Sequence, residues 1–186
     1  LKAEQLPTNA LSGRHRVHRW ANTVTGFSVE FVSQHVSDAR SGEAVLLDPF
    51  AGCGTTLLVG RDMGYVGTGY EPHPILASLA RAKLRDYVEE DVRRVFAQLN
   101  QGSQPRRWSD SAKAYLSTLF RADDLCRIAA ASPVIEDLDE SERDVAILML
   151  LGACDSCCLS RIDGIYRAPA SRRKADRIDF GRMGRY

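Results

Sequence analysis

No apolar stretch in these 186 residues approaches the ~20 that a membrane-spanning helix needs, and the longest, from Val145 to Cys154, stops well short. No basic, apolar and small-residue succession marks a leader peptide at the amino end, so the expectation is a cytoplasmic protein with no membrane partner. Excess charge is lacking too. A formal charge of +1 gives no global attraction to nucleic acid, so any such affinity has to come from local patches. Cysteine is scarce, and its five irregularly spaced copies form no disulfide framework. Cys154, Cys157 and Cys158 do fall on one helical face, but zinc would need a fourth ligand and a turn between close cysteines. They read as small buried side chains, and no metal is expected. The first residue is Leu1 and not methionine, so the expectation is an excerpt of a longer protein. A hydrophobic content of 44% is ordinary for a globular domain and sufficient for a core.

The rest of the chain is organised around the stretch from Val45 to Leu84. Val45, Leu46 and Leu47 form a short apolar run without helical period, as expected of a central parallel strand covered on both faces, with Asp48 at its carboxyl end. Pro49 lacks a backbone donor and cannot continue the strand, so Phe50, Ala51, Gly52, Cys53 and Gly54 form the turn leaving the sheet. The two glycines would let backbone amides approach a ligand. Thr55 and Thr56 open a helix, expected to run to about Met63, whose free N–H groups and positive dipole end face the same crevice; Gly64 ends it. Tyr65 to Tyr70 is the second strand. Glu71 stands at its tip, about 20 residues beyond the glycine turn, where a carboxylate can accept both hydroxyls of a ribose.

A dinucleotide fingerprint requires a third glycine three residues after the second, and Leu57 occupies that place. Asp48 would repel a pyrophosphate and attract a cation. S-adenosylmethionine carries an ammonium and a sulfonium beside its ribose, a charge pattern that suits Asp48 near the methionine end and Glu71 near the sugar.

Asp48-Pro49-Phe50-Ala51-Gly52-Cys53-Gly54-Thr55-Thr56 resembles the cofactor motif, DPFxGxGTT, of DNA methyltransferases that modify the exocyclic amine of adenine or cytosine. Gly69-Tyr70-Glu71-Pro72-His73-Pro74 is similar to that family's second motif, in which an acidic residue holds the ribose. The segments His15 to Trp20 and Gly26-Phe27-Ser28-Val29-Glu30-Phe31-Val32 resemble its lead-in, whose helix closes over the methionine end of the cofactor. The resemblance covers roughly residues 15 to 84. It implies an α/β fold, a partial Rossmann-like S-adenosylmethionine-dependent methyltransferase sheet with a helical insertion. It also implies a cofactor site of Gly26, Phe27, Ser28, Asp48, Phe50, Ala51, Gly52, Cys53, Gly54, Thr55, Thr56, Glu71 and Pro72, with DNA as the partner.

Elsewhere the readings are coarser. Ser28 is placed to cap a helix from Val29 to about Val36, with Phe27, Phe31 and Val32 facing the sheet. The cluster His15, Arg16, His18, Arg19 and Trp20 is either a solvated loop or a wall of the cofactor or DNA cleft. Apolar residues at three- and four-residue steps predict one long helix from Pro74 to about Asn100. Arg106, Arg107 and Trp108 form either a structural staple or a DNA contact. Asp110 is then placed to cap a helix to about Phe120, and further helices are expected from Asp123 to Ala131 with Pro133 ending it, and from Ser141 to about Leu159. The division is thus 1–108 for cofactor binding, 109–160 for a helical elaboration and 161–186 for a basic tail. Arg161, Arg167, Arg172, Arg173, Lys174, Arg177, Arg182 and Arg185 make that tail either a phosphate-contacting strip or a solvated end.

Methylating an amino group of a base needs the flipped base stacked on an aromatic ring with its NH₂ held by an acceptor. The resembled family supplies this with a Pro-Pro motif, and no Pro-Pro pair occurs in the sequence; Ala168-Pro169-Ala170-Ser171 lacks both acceptor and aromatic. No catalytic residue is therefore assigned. The expectation is the cofactor-binding front portion of such an enzyme, inactive by itself and completed by a further segment or second chain. A non-catalytic subunit or regulator, or a methyltransferase acting on RNA, are the competing readings.

Overall fold

The computed structural model describes residues 17, 20, 26–36, 45–159 and 176–180. Among these lie seven helices and two strands, in two units, Leu1–Asp86 and Tyr87–Tyr186. The first unit is α/β, and the regular elements of the second, among the described residues, are helices.

In the first unit β1 (Val45–Asp48) pairs in parallel with β2 (Val66–Gly69), Val45 opposite Val66 and Asp48 opposite Gly69. The helix α2 (Thr55–Asp62) makes the crossover between them. Leu57 of α2, in the place a third glycine would take, lies so near the second strand that a Cβ on Gly67 or Gly69 would come within 2.9 or 2.7 Å of its methyls. Close helix-on-strand packing is achieved here with the small residues on the strand. Gly64 ends α2 at φ 83°, with Tyr65 N–H bonding Gly60 O at 2.8 Å, as the motif predicts.

Two expectations about β1 and its surroundings need correction. The strand is not covered on both faces: Leu46 packs with Val32, Val36 and Val59, whereas Val45 and Leu47 are 67% and 65% exposed. The period-2 alternation of a strand sends one side chain set toward α1 (Val29–Val36) and α2, and nothing among the described residues lies on the other side. Phe27, expected against the sheet, is also exposed. It sits before the first turn of α1 and stacks on Phe31 at 5.4 Å between centroids.

The long helix predicted from Pro74 is two, α3 (Pro74–Leu84) and α4 (Glu89–Gln101). Arg85 and Val88 are extended. Arg61 Nη1 donates to Leu84 O at 2.8 Å, occupying a carbonyl at the end of α3. Glu89, Glu90 and Asp91 then provide the negative first turn that favours a new helix start. Apolar periodicity runs through this break, which spacing alone does not reveal, and the two compact units divide here.

The second unit contains α4, α5 (Asp110–Leu119), α6 (Ala122–Asp137) and α7 (Glu140–Cys157), around a core that includes Val95, Leu99, Ile135, Met149 and Phe180. Ser109, and not Asp110 as expected, caps α5 through Ala112 N–H, and Asp139 caps α7 through Glu142 N–H, so that α7 begins one residue before the expected Ser141. Pro133 does not end α6 but lies inside it. Proline has no N–H for the carbonyl four residues back. That carbonyl, Ala129 O, instead accepts Arg106 N–H at 3.0 Å, while Ala130 O accepts Ser103 N–H at 3.0 Å. Gly102, at φ 65°, fits beside Ala130, where a Cβ would meet the alanine methyl at 3.0 Å. Arg106 also pairs with Glu136.

Of the tail, residues 176–180 are described, and they pack. Ile178 and Phe180 are buried, Ile178 N–H bonds Asp124 Oδ1 at 3.1 Å, Arg127 donates to Ile178 O at 2.7 Å, and Arg177 pairs with Asp123. Arg161, Arg167, Arg172, Arg173, Lys174, Arg182 and Arg185, like His15, Arg16, His18 and Arg19, lie outside the described residues.

Candidate functional site

The carboxyl ends of β1 and β2 lie side by side, and the ladder continues one step past the strands: Tyr70 N–H bonds Asp48 O at 2.9 Å and Ala51 N–H bonds Tyr70 O at 3.0 Å. This brings the turn after β1 against the tip of β2. Asp48, half-buried, accepts Phe50 N–H on Oδ1 at 3.1 Å, an Asx-type closure that Pro49 permits because it offers no competing donor.

Glu71 reaches across from the other tip. Its Oε2 accepts Gly52 N–H at 2.9 Å and its Oε1 accepts His73 N–H at 2.7 Å. The carboxylate thus braces the glycine turn as well as standing where a sugar could be held. Each oxygen retains further acceptor capacity.

The two glycines differ in what they do. Gly52, at φ 53° and half-buried, gives its amide to Glu71. Gly54 is buried, gives its amide to Ala51 O at 2.8 Å, and adopts φ 83°; a Cβ there would lie 3.0 Å from that of Ala80 on α3. Gly54 therefore serves chain reversal and helix packing, and its amide is turned to Ala51, not to the crevice. Cys53, Ala51 and Thr55 are buried with it, Thr56 is half-buried, and Phe50 is 86% exposed at the rim together with the exposed Tyr70 and Pro72.

Gly26, Phe27 and Ser28 occupy the entry to α1. Ser28 is buried and its Oγ accepts Phe31 N–H at 3.0 Å, the predicted cap. No hydrogen bond joins this segment to the glycine turn among the described residues. Asp48, Gly52 and Glu71 are brought together; Gly26 to Ser28 are placed by α1 alone.

Lys83 escaped the sequence reading. It lies near the end of α3 and is 1% exposed. Burial pushes its pKa below the usual lysine value of 10.5, and the nearby Cys53 opposes that shift. The available signal was position: Lys83 is four residues from Leu79, on the buried side of α3.

Of the three clustered cysteines, expected to be small buried side chains, Cys157 is buried while Cys154 and Cys158 are half-buried. Burial, then the neighbouring Cys157 and Cys158, push Cys154 up to about 12, and burial and Asp124 raise Cys157 to about 11. Both are thiols at neutral pH. Among the described residues no group of three or more His, Cys, Asp or Glu side chains is arranged to hold a metal ion, and no helix is long and apolar enough to cross a membrane.

Comparison of the chain with protein-family models, with curated proteins and with solved structures finds no match in any of the three. What defines the first unit is therefore its own geometry: an α/β crossover whose glycine turn is flanked by two strand-tip carboxylates.

Proposed function

We propose that the first unit binds S-adenosylmethionine in a Rossmann-like crevice at the carboxyl ends of β1 and β2. In this reading it is the cofactor-binding front portion of an enzyme that methylates the exocyclic amine of adenine or cytosine in DNA. The observation that carries the proposal is the bond from Gly52 N–H to Glu71 Oε2, which sets the second acidic tip against the turn that follows the first. Asp48 and Glu71 then present negative charge on both sides of one turn, suited to a ligand with cationic groups beside a ribose. Phe50 and Tyr70, exposed at the rim, offer flat surfaces for a purine ring.

Glu71 would accept from ribose hydroxyls on lone pairs left by its two backbone bonds, and Asp48 would face the ammonium or sulfonium. The turn fixes both carboxylates before the ligand arrives, which lowers the ordering cost of binding. Because these residues hold no Pro-Pro acceptor loop, methyl transfer is assigned to a further segment or a partner chain. Calorimetric titration of the purified chain with S-adenosylmethionine and, separately, with NAD tests the proposal. Saturable heat with the former and none with the latter is expected; binding of NAD alone would overturn it.

A further inference from the structure

The start of α6 holds residues 176–180 as a receptor holds a peptide. We propose that this face is a docking groove for a short extended segment of a protein partner, with the pattern cation, aliphatic, any residue, aromatic. Arg177, Ile178, Asp179 and Phe180 are its resident occupant.

Residues 176–179 lie in neither helix nor strand, so their main-chain groups need partners from elsewhere. Side chains at the start of α6 supply them. Ile178 N–H donates to Asp124 Oδ1 at 3.1 Å, Arg127 Nη1 donates to Ile178 O at 2.7 Å, and Arg121 Nη1 donates to Asp176 O at 2.9 Å. Such contacts ask only for an extended backbone, which any peptide offers.

Selectivity comes from side chains two apart, which an extended chain points to one side. Ile178 and Phe180 are 3% and 1% exposed and join the core cluster of α4, α6 and α7. The Arg127 guanidinium lies 5.3 Å from the centre of the Phe180 ring, which favours an aromatic residue over an aliphatic one there. Just before Ile178, Arg177 pairs with Asp123 at 3.3 Å, an exposed contact that adds a preference for positive charge and little affinity.

The groups that read the segment have supports of their own. Arg127 Nη2 donates to Asn100 Oδ1 of α4 at 3.0 Å, and Arg121 Nη1 donates to Asp124 Oδ2 at 3.4 Å. Neither bond involves residues 176–180, and both hold the reading groups in place, which lowers the ordering cost of an entering peptide. The resident segment belongs to the same chain, equivalent to an effective concentration of roughly millimolar. A partner's segment therefore occupies the groove only when it binds more tightly or arrives on a larger interface.

The proposal concerns the second unit and is independent of what the first unit binds. Its test uses the full chain with Ile178→Ser and Phe180→Ser, which vacates the groove, and a fluorescein-labelled peptide of residues 175–181. Saturable fluorescence polarisation is expected, weakened at least about tenfold when the peptide carries Phe180→Ala or the vacated chain also carries Arg127→Ala. The unaltered chain, its groove filled, should bind the peptide at least about tenfold more weakly than the vacated one. Should the vacated chain be unfolded by itself, the same peptide, and not its scrambled form, should restore its helical circular dichroism. Neither binding nor regained helix, or binding indifferent to Arg127→Ala, overturns the proposal. So does a dimer of the unaltered chain in light scattering that the Ile178→Ser and Phe180→Ser pair abolishes, because the occupant would then be a second copy of this chain.

Discussion

Glu71 has two tasks that substitution can separate. In Glu71→Ala both Gly52 N–H and His73 N–H lose their acceptor, and a bound ribose would lose its own; S-adenosylmethionine affinity should fall by about 1–3 kcal/mol, read by calorimetry. Glu71→Gln keeps one carbonyl oxygen and should fall between the two. Unchanged affinity in the alanine variant would remove Glu71 from the ligand site and leave it a turn brace. Gly54→Ala forces a side chain into φ 83° and against Ala80, so a loss of about 1–3 kcal/mol is expected in chemical denaturation. For Lys83 the sign follows from linkage. Its folded pKa lies below 10.5, so between those values the unfolded chain binds more protons, and this residue's contribution to stability rises with pH through that window. Lys83→Met should therefore stabilise the fold most at neutral pH and progressively less toward pH 10.5, seen as converging urea midpoints; a constant difference would show that the lysine is not buried as charge. Sequence made Asp48, Gly52 and Glu71 legible because motif spacing records strand tips. It left Lys83 unread because a lysine on a helix is ordinarily solvated, and only its partners in space show otherwise.

At the scale of elements, what was legible was whatever depends on local chemistry. The Ser28 cap, the Gly64 stop and the crossover of β1, α2 and β2 follow from residues a few positions apart. The break between α3 and α4 was not legible, because the arginine that closes α3 comes from α2, more than a turn of chain away. The tail shows the same limit: a run of arginines reads as solvated, yet Ile178 and Phe180 carry residues 176–180 into the core of α4, α6 and α7. Phe180→Ala should cost about 3–5 kcal/mol, as expected of a fully buried aromatic truncated in a packed core, with loss of helical signal at lower denaturant. A cost under 1 kcal/mol would mean the strap is peripheral.

For the whole molecule, the division at Asp86 and Tyr87 leaves each unit with its own buried cluster. A fragment from Tyr87 to Tyr186 should fold alone, with helical circular dichroism and a cooperative thermal transition; a fragment that melts without cooperativity would contradict an independent core. The α/β character of the first unit was readable from its glycine turn and short apolar strands. The bare outer side of β1 was not, since the letters of a strand do not tell how many layers will cover it.

Pro133 works as a key cut into α6. By withholding one amide it frees the Ala129 carbonyl, and the segment from Gly102 to Arg106 seats on that notch and on the Ala130 carbonyl beside it. Shifting the imino acid by one residue would rotate the notch by about 100° around the helix, and the lock would no longer meet it.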